Sequence, residues 1–327
     1  MSTGSRHIRQ RQARPPVTVV VTVKNEAATI VSLLEALRMQ TVQPSQVIIS
    51  DGGSTDATFA MMREYAEKHP TFPLKIIEAL GNRSVGRNAA IRASKTDLIA
   101  ITDAGCIPEP QWIEELLDEC SRTGADLTAG YYQGAPQTAF ETAQVPFVLV
   151  LPRNINPRDF LPATRSVMLK KSAWEKIGGF DEKLALNEDY AFSLKARALR
   201  CTFAFARHAV VSWRPRATLG QFFKMLKAFA QGDIEAGIVR PKVILVFLRY
   251  LLGLSLVAGV VSSWGFVAGL LFAVSGLLLY AGWAVLKHFA DIQRGWHWLP
   301  VLQITADAAV ILGSLGGYLS RLRNTKL

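Results

Sequence analysis

Apolar positions follow two different regimes along this chain. Up to about residue 240 they come in short runs divided by polar turns, and from 243 to 319 they are nearly continuous. In the first regime, Val17–Val23 is an unbroken run of mostly β-branched residues, the pattern of a strand buried on both faces. Ile30, Leu33, Leu34 and Leu37 then recur at helical spacing. Val47–Ser50 reads as a second strand, closed by Asp51-Gly-Gly-Ser-Thr-Asp56, with a helix over 57–68. Leu74–Ile77 is a third strand, Ser84–Ala93 a helix, and Leu98–Thr102 a fourth strand ending at Asp103. This alternation predicts a doubly wound α/β domain with a mostly parallel core. Ligands of such folds bind beyond the carboxyl ends of the strands. Lys24 to Glu26, Asp51 to Asp56 and Asp103 all fall there.

From Gly130 to Pro162 the pattern weakens, interrupted by Pro136, Pro146, Pro152, Pro157 and Pro162, and a long irregular segment over the site is expected. Helices over 172–177, stopped by Gly178-Gly179, and over 188–199 follow, then strands near 203–206 and 209–213. Leu219, Phe222, Phe223, Leu226, Phe229 and Ala230 share one helical face, with Gln221, Lys224 and Lys227 opposite. This amphipathic helix has two placements, in the bilayer surface or on the globular domain. The nearby apolar region favours the surface.

Residues 264–286 form an uncharged run long enough to cross a bilayer. Val243–Val261, which contains Arg249, and Trp298–Leu319, which contains Asp307, give two further spans. An Arg249–Asp307 pair between the first and third spans would offset the cost of both charges. The alternative is a snorkelling Arg249 and an Asp307 in a polar crevice. Three spans would carry Arg321, Arg323 and Lys326 to the far side, against the positive-inside tendency, so a re-entrant or interfacial segment stays open. The expected organisation is a basic tail (1–16), a catalytic domain (17–216), an amphipathic interfacial helix region (217–242) and a membrane domain of about three helices (243–327).

Composition sharpens this division. Half of the 327 residues are hydrophobic, the net charge is +11 and the mean hydropathy is +0.19. Basic residues concentrate at Arg200, Arg207, Arg214, Arg216, Lys224, Lys227, Arg240, Lys242 and Arg249, opposed there by Asp233 and Glu235. Such a stretch before an apolar region suits anionic headgroups on a cytoplasmic leaflet, or a diphosphate ligand. Nucleic acid is not expected, because no recognition module or basic-aromatic interleaving accompanies the charge. Cys106, Cys120 and Cys201 are odd in number, lack metal-ligand spacing and read as thiols in a reducing compartment. Arg6, Arg9, Arg11 and Arg14 precede an apolar run too short for a signal peptide. The expected location is therefore the inner membrane, multi-pass, with the catalytic domain cytoplasmic.

Nucleotide-sugar chemistry needs a nucleoside pocket, positive charge for the departing diphosphate and a carboxylate to deprotonate an acceptor hydroxyl. Five motifs supply candidates in order: Val17-Thr-Val-Val-Val-Thr-Val-Lys-Asn-Glu26, Asp51-Gly-Gly-Ser-Thr-Asp56, Thr102-Asp-Ala-Gly105, Gly178-Gly-Phe-Asp-Glu182 and Asn187-Glu-Asp-Tyr190. From about Val17 to Gly237 the chain resembles the family 2 glycosyltransferases, which have the GT-A fold. The resemblance implies that Asp51 accepts a hydrogen bond from the nucleobase, that Glu26 contacts the ribose and that Ser54 supports the pocket. Thr22 and Lys24 belong to the same candidate donor site. It further implies that Asp103 is the first carboxylate of an Asp-x-Asp motif for Mg²⁺ or Mn²⁺, with Gly105 replacing the second. Asp189 is the implied general base, with Glu188 as its support.

Three of the motifs also have a purely structural reading. Asp51-Gly-Gly is a tight turn, Ser54 or Thr55 a helix cap, Asp103 a turn cap, and two acids suit a helix N-terminus. Arg83, Arg87, Arg214 and Arg216 are candidates for the diphosphate, against simple solvation or a membrane-facing rim. Trp213 is a candidate platform for a sugar. Gln221-Phe-Phe-Lys-Met225 resembles the Gln-x-x-Arg-Trp of polymerising members but lacks its Arg and Trp, which argues against a processive synthase.

The expectation is an inverting, non-processive glycosyltransferase. It would use a nucleotide-diphosphate sugar, a UDP-sugar favoured, and a lipid-linked or glycolipid acceptor in envelope polysaccharide or glycolipid assembly. Two alternatives stand beside it: a polyprenyl-phosphate glycosyltransferase, and a catalytically silent membrane scaffold that binds nucleotide sugar.

Overall fold

The computed structural model describes residues 14–157, 159–292 and 294–324. Most of the expected basic tail, with Arg6, Arg9 and Arg11, and also Lys326, lie outside the described residues. The chain runs β1 (Val17–Val23), α1 (Ile30–Arg38), β2 (Gln46–Asp51), α2 (Thr58–Lys68), β3 (Leu74–Glu78), α3 (Arg83–Ala93), β4 (Leu98–Ile101) and β5 (Cys106–Pro108). It continues through α4 (Trp112–Thr123), β6 (Leu127–Gly134), α5 (Ala139–Val148), β7 (Val167–Lys170), α6 (Lys171–Ile177), α7 (Glu188–Ala198) and β8 (Phe203–Trp213). Three helices complete it: α8 (Leu219–Glu235), α9 (Pro241–His288) and α10 (Leu299–Asn324).

One eight-stranded sheet, in the order β3-β2-β1-β4-β7-β6-β8-β5, forms the scaffold. Strands β3, β2, β1 and β4 are parallel, as the alternation of elements predicts. Beyond β4 the sheet is mixed, because β7 enters antiparallel to both β4 and β6. The β-branched run of β1 explains itself here. Val17, Val19, Val21 and Val23 face a core with α1 and α4, while Val20 packs with Ile48 toward α3, α6 and α7. Helix α3 lies close on the sheet because position 86 is glycine; a Cβ there would come within 3.0 Å of Ser50 Oγ and Thr22 Cγ2.

Three expectations need correcting. The segment 130–162 is not wholly irregular: it holds the end of β6 and α5, which tolerates Pro146 near its C-terminus. The two strands expected at 203–206 and 209–213 are one, β8, paired with β6 across a register shift between Ala129 and Tyr131. The apolar face of α8 is also not free for a bilayer. Phe222 and Met225 join the domain core, and α10 covers another side, where a Cβ on Gly313 would meet Lys227 O at 2.2 Å.

Two helices, Pro241–His288 and Trp296–Arg323, are long and apolar enough to cross a membrane. The first combines the two spans expected at 243–261 and 264–286, and it is broken at Gly265, whose φ of 86° and ψ of 171° are non-helical. The arms 241–264 and 266–288 fold back on each other. A Cβ on Gly269 would come within 2.1 Å of Val261 Cγ2, and the hydroxyls of Tyr250 and Tyr280 both donate to Asp307 Oδ2. Each arm is about 35 Å long at ~1.5 Å per residue. The expected ion pair is present, with Arg249 Nη2 2.8 Å from Asp307 Oδ2.

Helix α10 runs along α8. Its start packs through Trp298 against Phe140, with centroids 5.1 Å apart, and near its end Arg321 donates to Ile234 O at 3.3 Å. Arg321 therefore lies beside the C-terminal turn of α8.

Candidate active site

The carboxyl ends of the parallel strands lie along one edge of the sheet. Asp51 ends β2 and is nearly buried. Its carboxylate accepts from Ser54 N at 3.2 and 3.1 Å and from Ser54 Oγ at 2.5 Å. Ser54 Oγ in turn accepts from Asn25 N at 2.9 Å, and Asn25 Oδ1 accepts from Thr55 N at 2.8 Å. Asn25 takes up a left-handed φ of 57°, so the loops after β1 and β2 are held as one unit. Glu26 joins it: its N–H donates to Thr58 Oγ1 at 2.8 Å and its carboxylate accepts from Thr29 Oγ1 at 2.8 Å. Lys24 is exposed, and the Thr22 methyl packs toward Gly86.

Asp103 lies just past β4, with its side chain about a third (32%) exposed. Arg87, fully buried on α3, donates to Asp103 Oδ1 at 2.9 Å and with its other arm to Glu188 Oε1. The sequence made Arg87 a candidate for a diphosphate, with surface solvation as the alternative; it is instead an internal bridge between the strand end and the start of α7. Burial works against the Arg87 charge, but Asp103 and Glu188 more than offset it and hold the guanidinium above its ordinary value. Burial likewise opposes the Asp103 charge, yet Arg87, Arg165 and Arg83 outweigh it and hold the carboxyl below its usual range.

Asp189 behaves in the opposite way. It opens α7 beside Glu188, and its Oδ1 accepts from the Tyr190 N–H at 2.8 Å. Burial first, then repulsion from Glu188, push its carboxyl above the ordinary value, against the pull of Arg87. The environments of Asp103 and Asp189 thus push the two carboxyls in opposite directions. Cys106, beside Asp103, is pushed up to about 12 by burial and is no nucleophile.

A cationic wall faces these acids. Arg165 lies 5.2 Å from the Tyr132 ring centre and 5.1 Å from that of Trp213, and Arg216 lies 6.0 Å from the Trp213 ring centre. Burial and then repulsion from Arg165 and Arg83 lower the Arg216 pKa, so three guanidiniums crowd one place. Trp213 is only 7% exposed and is covered by arginine, which corrects its expected role as an open sugar platform. Arg214 also departs from expectation: it pairs with the buried Glu141 of α5 at 2.7 Å, away from the acids.

Arg165 escaped the sequence reading. The antiparallel register Ile101↔Val167 continues to set Arg165 opposite Asp103, and Thr102 Oγ1 donates to Arg165 O at 2.9 Å. No local pattern marks β7 as returning beside β4. The expected elements include no strand at 167–170, and the short apolar run Val167-Met-Leu169 after Arg165 was the available signal.

Among the described residues no cluster of three or more His, Cys, Asp and Glu is built to hold a metal. Asp103 nonetheless fits a divalent cation that arrives with phosphates. It is ionised and partly exposed, Arg87 occupies Oδ1, and the space that a Cβ at Gly105 would fill is open. Mg²⁺ commonly binds through one or two carboxylates plus substrate phosphates.

A mixed sheet flanked by helices, with acids at the carboxyl edge of its parallel half, is the arrangement of a GT-A glycosyltransferase. The model of glycosyl transferase family 2 matches residues 18–180, about half of the chain, and the chain belongs to that family. It is 27% identical over 228 residues to glycosyltransferase AglE of Haloferax volcanii, covering 68% of this chain and 74% of that one. Succinoglycan biosynthesis protein ExoA of Rhizobium meliloti is 27% identical over 227 residues, covering 65% of this chain and 68% of its own. The fold matches the mannosyltransferase PcManGT of Pyrobaculum calidifontis, solved with GDP-Man and Mn²⁺, at a TM-score of 0.62 and 19% identity. That match covers 91% of this chain and 87% of the mannosyltransferase.

Proposed function

We propose that this glycosyltransferase performs an inverting, single-sugar transfer from a nucleotide-diphosphate sugar to a lipid-linked acceptor at a membrane surface. The observation that supports the reading is the bridge from Arg87 to Asp103 and Glu188, which sets Asp103 near the Glu188-Asp189 pair, with Asp51 at the same carboxyl edge of the parallel strands. The Asp51–Ser54 unit, with Glu26 beside it, receives the nucleoside. Arg83, Arg165 and Arg216 take the diphosphate, which accounts for three guanidiniums close enough to repel one another. Asp103 holds the Mg²⁺ or Mn²⁺ that accompanies the phosphates and supplies charge neutralisation when bound.

Asp189 accepts the proton of the acceptor hydroxyl as that oxygen attacks the anomeric carbon from the face opposite the leaving group. The bond from that carbon to the diphosphate oxygen breaks, and the departing charge falls on the guanidiniums. Glu188 and Arg87 keep Asp189 in place. A raised pKa suits Asp189, because a stronger base draws the proton better as long as it is ionised.

The α9 hairpin enters the bilayer in this reading, with its root and tip related by an arm long enough for a hydrocarbon core of ~30 Å. Leu254, Trp264, Phe266 and Leu279 are among its many exposed apolar side chains, an arrangement that water does not stabilise. Helix α10 lies against α8 at the domain surface, and the domain sits on the cytoplasmic side. Family membership sets aside the silent-scaffold alternative. The polyprenyl-phosphate reading keeps one supporting observation, the cation surplus at Arg83, Arg165 and Arg216, which also suits an acceptor phosphate.

Thermal-shift titration of the detergent-purified protein with UDP, GDP, CDP and dTDP, with and without Mn²⁺, tests the donor site. A shift for one nucleotide that grows with Mn²⁺ is expected, and no shift with any nucleotide in folded protein contradicts it. Lipid extraction after transfer separates the acceptor readings, since a monophosphate-linked single sugar would replace a lengthened glycan or glycolipid.

A further inference from the structure

Helix α8 stands between the catalytic helix α7 and the membrane-side helices, and it touches both without slack. Asn187 precedes Glu188 and Asp189 at the N-cap of α7 with a left-handed φ of 56°. A non-glycine residue holds that conformation when its surroundings impose it. Here its side-chain amide donates to Phe229 O at 2.8 Å and to Asp233 Oδ1 at 2.9 Å, both on α8. Asp233 is only 6% exposed, and Arg240 grips it through Nε at 2.5 Å and Nη2 at 2.8 Å. Arg240 is the residue on which α9 begins, and its guanidinium lies 4.5 Å from the centre of the Tyr190 ring. Tyr190 is the neighbour of Asp189 in the chain.

Packing leaves no room for these parts to drift. A Cβ on Gly232 would come within 2.6 Å of Leu186 Cβ, and one on Gly317 within 2.7 Å of Gln231 O. The root of the α9 hairpin, α10 and the first turn of α7 are therefore linked through one helix.

We infer that Asn187, Asp233 and Arg240 are positioning residues that aim Asp189 from the root of the membrane hairpin. A shift of α9 or α8 is then felt at the base, and full turnover requires the hairpin to be seated. This inference rests on the reading of Asp189 as the general base. The charged and titratable groups facing Asp189 are Glu188 on its own helix, Arg87 from α3, Asp103 after β4, Arg165 before β7, Tyr132 of β6 and Arg240 before α9. Removing the Arg240 charge makes Asp189 easier to protonate.

The test uses full-length protein in native membranes, with UDP-glucose and GDP-mannose as donor probes and transfer of label to extractable lipid as the readout. Arg240→Gln and Asp233→Asn are expected to lower kcat at least tenfold, with KM for the donor within twofold of the parent. For Arg240→Gln the acid limb of the kcat profile moves to higher pH, and Arg240→Lys restores that limb but only part of kcat. Added to Asp189→Asn, Arg240→Gln costs less than a further twofold, because both act through the same carboxylate. Parental kcat and pH profile in folded Arg240→Gln overturn the inference, as does a full multiplication of losses in the double variant. If Asp233→Asn does not accumulate, the Arg240 variants decide, since that side chain is 43% exposed. Parental turnover in Asp189→Asn would instead refute the base reading, whatever Arg240→Gln shows.

Discussion

Arg87 reaches Asp103 with one arm of its guanidinium and Glu188 with the other, joining residues 85 positions apart while itself only 1% exposed. One side chain thus fixes the end of β4 against the start of α7, which sets Asp103 near the Glu188-Asp189 pair. Removing one member of a buried pair leaves uncompensated charge, at a typical cost of about 3–5 kcal/mol. Arg87→Gln is expected to lower stability by that order, read as the urea unfolding midpoint. Arg87→Lys keeps a charge but not the fork, and its turnover should fall about 10–100-fold, roughly 1.4–3 kcal/mol of transition-state stabilisation. Parental turnover in Arg87→Lys would show that bridging is dispensable.

Asp103 and Asp189 carry opposite pH signs. The folded pKa of Asp103 is lowered, so its pairing with Arg87 stabilises fully above the ordinary carboxylate value of about 3.9. That contribution is lost as pH falls through the lower folded value. The folded pKa of Asp189 is raised, so its contribution is greatest below about 3.9 and is lost as pH rises through the higher folded value. Asp103→Asn should therefore flatten the acid limb of the stability profile, and Asp189→Asn should remove a loss on its alkaline side. Urea midpoints measured from pH 3 to pH 7, about the span over which these carboxylates titrate, check both signs.

Asp51 meets the β2–α2 loop through three bonds to Ser54. Asp51→Ala should weaken binding of the cognate nucleoside diphosphate by at least about tenfold, in line with a lost charge-assisted hydrogen bond of ~1.5–3 kcal/mol. At saturating donor, kcat should change little. Isothermal titration checks this, and unchanged affinity removes Asp51 from the pocket.

Helix α10 approaches α8 so closely that Gly313→Val must displace backbone, because its Cβ would lie 2.2 Å from Lys227 O. Overpacking of this kind typically costs about 1–3 kcal/mol. A lower thermal midpoint and faster proteolysis near 320 are the expected results, while an unchanged midpoint would mean that α10 is not held against α8.

Much of this was legible in sequence because it depends on local pattern. The period of Val17–Val23 and of Ile30–Leu37, and the acids after each strand, gave the parallel half and the positions of Asp51 and Asp103. The pair Arg249–Asp307 was legible because charge in an apolar span needs a partner. What escaped depends on long-range return of the chain. β7 runs antiparallel beside β4 and brings Arg165 to Asp103. The burial of Arg87, the pairing of Arg214 with Glu141 and the shielding of Trp213 by two arginines are likewise products of packing. A sequence window shows a basic residue near a motif, not whether a carboxylate from another element has already claimed it.

The most direct test of the account is Asp189→Asn, compared with the parent for donor binding and for transfer to extracted lipid. General-base loss predicts a kcat lower by about 10²–10⁴-fold, with nucleotide affinity within a few-fold of the parent. The parent should show an acid limb above the ordinary carboxylate pKa of about 3.9, which the variant lacks. Turnover near the parental level in Asp189→Asn, or a collapse of nucleotide binding with the rate at saturation preserved, would contradict it.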